Sequence, residues 1–147
     1  MLKRKPLRTQ KDLMAFMRAN NACFEARTYV DQFESRTPAK KIWVGCRHPE
    51  WLLWLGTRRN PEVALRYCQQ TIKRVANELN KKGPSEDQQH YITLAARDCV
   101  TAGKYLLNSE LALFCMSTHW AFYESHRAAP SYTAEADIRL EELRKMW

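Results

Sequence analysis

Glycine and proline are scarce: the 147 residues include four Gly and six Pro. That shortage excludes a β-sandwich, which needs many tight turns. The glycines stand far apart, at 45, 56, 83 and 103, so no glycine-rich loop is available to cradle phosphates, and the common nucleotide enzymes go with it. No apolar run approaches the ~18 residues of a membrane span. The opening MLKRKPLRTQKDL is charged but has no apolar stretch behind it, so it does not read as a signal peptide. No cysteine pair has C-x-x-C spacing and no H-E-x-x-H occurs, so neither a zinc site nor any other metal or cofactor is expected. Nothing alternates with period two for long enough to make a strand.

What is present is a globular composition, 45% hydrophobic and 27% charged. At this length it suits one domain, residues 1–147, with a core of its own. Five cysteines, at 23, 46, 68, 99 and 115, sit among apolar helical neighbours. They read as reduced thiols used as small hydrophobes, which implies a reducing, cytoplasmic setting.

The charge is uneven. The net charge is +8, and residues 1–60 carry 13 Lys or Arg against 5 Asp or Glu, whereas the remainder balances. The whole excess therefore belongs to the first part of the chain, as expected for a protein that meets an acidic partner, either a protein surface or nucleic acid.

Helical periodicity organises the chain. A basic arm, residues 1–8, is expected to be mobile. Thr9 and Asp12 have capping-box spacing and open a helix to about residue 19. A second helix spans about 22–34, with Ala22, Cys23, Ala26, Tyr29, Val30 and Phe33 on one side. Thr37-Pro38 starts a short third, stopped near Gly45. His48-Pro49 starts a fourth, whose WLLWL segment, Trp51 to Leu55, plugs the bundle and ends at Gly56. Whether Trp51, Trp54 and Trp147 are buried does not follow from spacing. A fifth helix, about 61–81, stops at Lys82-Gly83-Pro84. A sixth, about 86–107, begins with the capping box of Ser85 and Gln88 and carries a stripe of small residues, Ala95, Cys99 and Ala102, suited to close approach by a neighbour. A last amphipathic helix is expected at about 134–146.

The segment Leu111 to Tyr123 carries no Lys, Arg, Asp or Glu. Ala112, Cys115, His119 and Phe122 fall on one helical face, and Leu113, Met116, Trp120 and Tyr123 on another. A helix apolar on so much of its circumference is expected to be buried from several sides. The fold expected is therefore all-α: a single-domain bundle of six or seven helices around a central buried helix at about 110–125.

Three segments, 22-ACFEA-26, 43-WVGC-46 and 51-WLLWL-55, resemble a packing motif of small helical proteins from bacteria and their phages, many described as hypothetical or as immunity proteins. Here Ile42 replaces the usual Ala before Trp43. The likeness covers about 35 residues. It implies a helical, non-enzymatic protein from a conflict or phage setting and brings no active site with it.

Candidate chemistry is thin. Cys115 and His119 are four apart, with Ser117, Glu124 and His126 close by, but no orienting group or oxyanion site can be read beside them, and His119 is expected in the core. No catalytic residue and no metal ligand is assigned. The candidate binding residues are cations: Lys3, Arg4, Lys5, Arg8, Lys40, Lys41, Arg47, Arg58 and Arg59. The expected function is a small non-enzymatic interaction protein, phage- or mobile-element-encoded, binding a host or defence protein through an acidic surface. The alternative is non-specific nucleic-acid binding by the same region, through phosphates alone, because WLLWL is too apolar to read base edges.

Overall fold

The computed structural model describes residues 5–129 and Arg144. Among them are seven helices: α1 (Gln10–Ala19), α2 (Phe24–Asp31), α3 (Ala39–Gly45), α4 (Pro49–Arg59), α5 (Pro61–Lys82), α6 (Glu86–Leu107) and α7 (Leu111–Ala128). No strand occurs among the described residues; one isolated antiparallel bridge joins Thr9 to Pro38. The all-α bundle expected from periodicity is what forms. Apart from Arg144, the helix expected at 134–146 lies outside the described residues, as do Lys3, Arg4 and Trp147.

The helix ends follow local chemistry. Thr9 and Asp12 close a reciprocal capping box on α1, and Ser85 and Gln88 do the same on α6. Two further free amides of α1 find carbonyls in the loop after α2: Gln10 N–H donates to Thr37 O at 2.7 Å and Lys11 N–H to Ser35 O at 3.2 Å. Gly83 ends α5 with φ of 74°, a conformation that L side chains rarely adopt. Ser109 takes φ of 57° between α6 and α7, and Glu110 N–H reaches back to Tyr105 O at 2.9 Å, closing the orphan carbonyls of α6 in Schellman fashion.

One boundary differs from expectation. α4 does not stop at Gly56 but continues to Arg59. Thr57 Oγ1 and Arg58 Nη1 both donate to the Trp54 carbonyl oxygen, at 2.9 and 3.0 Å, and hold this last turn. Within α4 the aliphatic residues form the plug: Leu52, Leu53 and Leu55 are buried. Each such burial is worth roughly 1.5–3 kcal/mol. Trp51 and Trp54 are only half-buried.

The core has two parts. One gathers α1 to α4 with the start of α5, and the other lies between α5, α6 and α7. Phe122 of α7 belongs to the first and Ala121 to the second, so α7 joins them, packing against α4, α5 and α6. Its closest partner is α6, where Ala95 and Ala102 are fully buried, as the small-residue stripe predicts.

α7 is central, but it is not enclosed all round. Phe114, Ser117, Thr118, Ala121, Phe122 and Ser125 are buried, whereas Leu113, Met116, Trp120 and Tyr123 are exposed, Trp120 by 53%. The expectation of burial from several sides fails: on the first expected face only Phe122 is buried and Ala112 is exposed, the second is exposed throughout, and the enclosed side is the one through Phe114, Thr118 and Ala121. His119, expected in the core, is exposed, and Cys115 is half-buried. Cys23, expected as a small buried hydrophobe, is also exposed.

Candidate interaction surface

The basic arm is not free over its described residues. Leu7 is buried, Arg8 O accepts from Ala39 N–H at 3.0 Å, and Lys5 O accepts from Arg59 Nη1 at 3.1 Å. Thr9 bridges to Pro38. Residues 5–8, expected to be mobile, are thus laid along the start of α3 and clamped by the end of α4. The sequence offers no local signal for this, because each contact joins positions 29 to 54 residues apart.

The clamp brings part of the predicted cation set together. Lys5, Arg8, Lys40 and Lys41 are exposed around the bridge, and none makes an ion pair among the described residues. Arg47 is exposed just beyond the C-terminal end of α3, about 10 Å along the helix from Lys40. Two cations that sequence reasoning passed over join them. Arg36 precedes Thr37, the partner of Gln10, and Lys11 is tied through its backbone to Ser35; both are exposed. Over residues 5–12 and 34–47 there are seven Lys or Arg against two carboxylates, Asp12 and Glu34. Asp12 is already engaged: its Oδ2 accepts from Arg8 N–H at 3.0 Å and Thr9 N–H at 3.2 Å. Those two backbone donors hold its carboxyl below the usual value.

Arg58 and Arg59 have a different use. The Arg58 guanidinium lies 4.1 Å from the Trp54 ring centroid, and burial lowers its pKa from the ordinary value. Arg59 lies over the Phe16 ring at 5.7 Å and donates to the arm. Both line a cavity of about 650 Å³ with Lys5, Phe16 and Cys115. They position the basic end rather than extend its exposed face.

Near it lies a second cavity, of about 380 Å³, walled by Met17, Ala26, Tyr29, Trp43, Trp51 and Trp54, with Glu50 and His119 at its margin. His48 stacks on Trp51 with ring centroids 3.8 Å apart, covering one of its faces. The Trp43 indole N–H donates to Arg144 O at 2.8 Å, and the Arg144 guanidinium donates to Cys46 O at 3.1 Å. That contact satisfies the carbonyl oxygen just past the end of α3 from a residue almost 100 positions away.

Cys115 and His119 both line a hollow of about 270 Å³ between α4 and α7, with Trp54 and Arg58 opposite. His119 makes no hydrogen bond among the described residues, so nothing there orients it as a base. No group of three or more potential metal ligands occurs among the described residues, and no described helix is long and apolar enough to cross a membrane. No protein-family model, curated protein or solved structure matches this chain.

Proposed function

We propose that the protein is a small, non-enzymatic binding module, of the phage- or mobile-element-encoded kind, whose basic end docks on an acidic surface of a host or defence protein. The observation that carries this reading is the cluster of exposed cations Lys5, Arg8, Lys11, Arg36, Lys40, Lys41 and Arg47, assembled by the Thr9–Pro38 bridge. Seven like charges on so small a region repel one another, and an acidic partner relieves that repulsion. Arg59 and Ala39 hold the arm, which lowers the entropy lost on docking. The non-enzymatic part of the reading is supported by His119, which makes no orienting hydrogen bond beside Cys115 among the described residues. The conflict setting rests on the resemblance of the ACFEA, WVGC and WLLWL segments.

A protein surface is favoured over nucleic acid by what the basic end lacks. Among the described residues the large exposed aromatics are Phe24, Trp120 and Tyr123, on α2 and α7, so none of them stands beside the cations as a base-stacking platform. The deciding experiment is affinity capture from host lysate with and without nuclease, using the wild type and a variant with Lys5, Arg8, Lys40 and Lys41 changed to Gln. A protein retained after nuclease by the wild type and lost by the variant supports the proposal. Retention that disappears with nuclease, together with duplex affinity that falls steeply with salt, replaces it with nucleic-acid binding.

A further inference from the structure

The exposed apolar residues of α7 are not scattered. Leu113, Met116, Trp120 and Tyr123 follow one another at steps of three, four and three. That is the spacing of a coiled-coil seam, which keeps one narrow stripe facing a partner helix. Their exposures are 38%, 52%, 53% and 41%, so all four stand out of the same face. The stripe's far end is pre-arranged. Trp120 and Tyr123 meet edge to face at 5.8 Å. Arg127 donates to the Tyr123 hydroxyl at 3.2 Å and lies over the Tyr91 ring of α6 at 4.8 Å.

The charges decide what covers this seam. From Leu111 to Tyr123 there is no formal charge, so a molecule of net charge +8 can meet its own copy here without like-charge repulsion. The seam ends in opposite signs. Exposed Glu110 stands at the start of α7, and exposed Arg127 continues the stripe four residues after Tyr123. With two copies antiparallel, Leu113 falls opposite Tyr123 and Met116 opposite Trp120. Arg127 then reaches the Ser109–Glu110 turn of the other copy, twice per pair. A parallel arrangement would set Arg127 against Arg127. The hollow of about 270 Å³ beside Met116 and Trp120 gives one large side chain of the second copy a place to enter.

We infer that the protein forms an antiparallel, two-fold homodimer through the exposed face of α7. The four seam residues lie outside the exposed cation set Lys5, Arg8, Lys11, Arg36, Lys40, Lys41 and Arg47, although Arg58 and Cys115 border both regions. A seam one helix wide lies at the small end of specific interfaces, so the dimer dissociates on dilution.

Sedimentation equilibrium of the full chain tests this. A species of twice 17.3 kDa that dissociates on dilution is expected. Trp120→Glu and, separately, Leu113→Glu should give monomers with an unchanged helical circular-dichroism spectrum, since both side chains are exposed. Glu110→Arg alone and Arg127→Glu alone should each weaken the dimer about tenfold or more, and the double variant should recover most of that loss. A wild type monomeric up to about 1 mM, a dimer indifferent to both glutamate variants, or a double variant no better than the single ones overturns the inference.

Discussion

Arg58 puts its guanidinium carbon 4.1 Å from the Trp54 ring centroid while its Nη1 donates to the carbonyl oxygen of the same residue at 3.0 Å. One side chain thus covers an indole and caps the last turn of α4. It is a cation of the basic region by sequence and a packing element by structure. Arg58→Ala should cost about 1–3 kcal/mol, the sum of a half-buried cation–π contact, a charged hydrogen bond and lost stem packing. Arg58→Lys should recover only part of it, because an ammonium cannot lie over the ring and reach the carbonyl in the same planar way. Lys40→Ala and Lys41→Ala, both exposed, should stay within about 0.5 kcal/mol of the wild type. Urea unfolding of the four variants measures the contrast.

Glu124 presents the opposite situation, a buried carboxyl on α7 facing Asp98 on α6. Its Oε2 has no hydrogen-bond partner among the described residues. Burial, then Asp98, pushes the Glu124 carboxyl up to about 7. Because the folded value lies above the unfolded one, the contribution of Glu124 to stability is complete below about pH 4.3. It is lost as pH rises through about 7. Glu124→Gln should therefore match the wild type near pH 5 and be more stable above pH 7, with a flatter profile. Asp98→Asn should also flatten it, by removing the second carboxylate. Unfolding titrations across this range, each variant against the wild type, provide the measurement.

The helices were largely readable because their signals are local. The Ser85–Gln88 box, the Gly83 stop and the Ala95–Cys99–Ala102 stripe each act within one or two turns, and each appears where its chemistry puts it. Gly56 misled for the same reason. Glycine ends a helix when it takes a left-handed cap, and here Thr57 and Arg58 bond to Trp54 and carry the helix past it. The candidate surfaces were harder to read. A charge-free helix looks the same whether its second face meets the core or a second protein, so Trp120 and Met116 read as buried. The basic region was visible as a count, but its shape depends on contacts such as Arg59 to Lys5, 54 residues apart. That pairing is what divides the cations into an exposed set and a clamping pair.

The Asp12 carboxylate holds the arm at its root, accepting from Arg8 and Thr9 N–H. Those donors depress its value, so the tether is in place at ordinary pH and is lost as pH falls through that depressed value. Asp12→Ala should leave α2 to α7 intact and loosen residues 5–9. Trypsin should cut after Arg8 faster than in the wild type, and the Ala39 amide, which donates to Arg8 O, should exchange faster with deuterium. Thr9→Ala removes the other half of the capping box and should cost about 1 kcal/mol of α1 stability.

The cysteines divide by accessibility in a way that reagents can read. Cys23 is exposed and Cys115 half-buried, whereas Cys46, Cys68 and Cys99 are buried. Burial pushes the Cys46 thiol up, and a hydrogen bond with Cys99 followed by burial pushes Cys68 up further. Both effects keep Cys46 and Cys68 protonated and away from a reagent that attacks thiolates, whereas Cys99, lowered by its hydrogen bond with Cys68, is protected by burial alone. Iodoacetamide on the native protein should therefore modify Cys23 first and Cys115 more slowly. Cys46, Cys68 and Cys99 should react only once urea has opened the fold, and mass spectrometry of the peptides gives the order. Early modification of Cys68 would place an opening between α5 and α7, where Cys68 Sγ now lies 3.9 Å from Thr118 O.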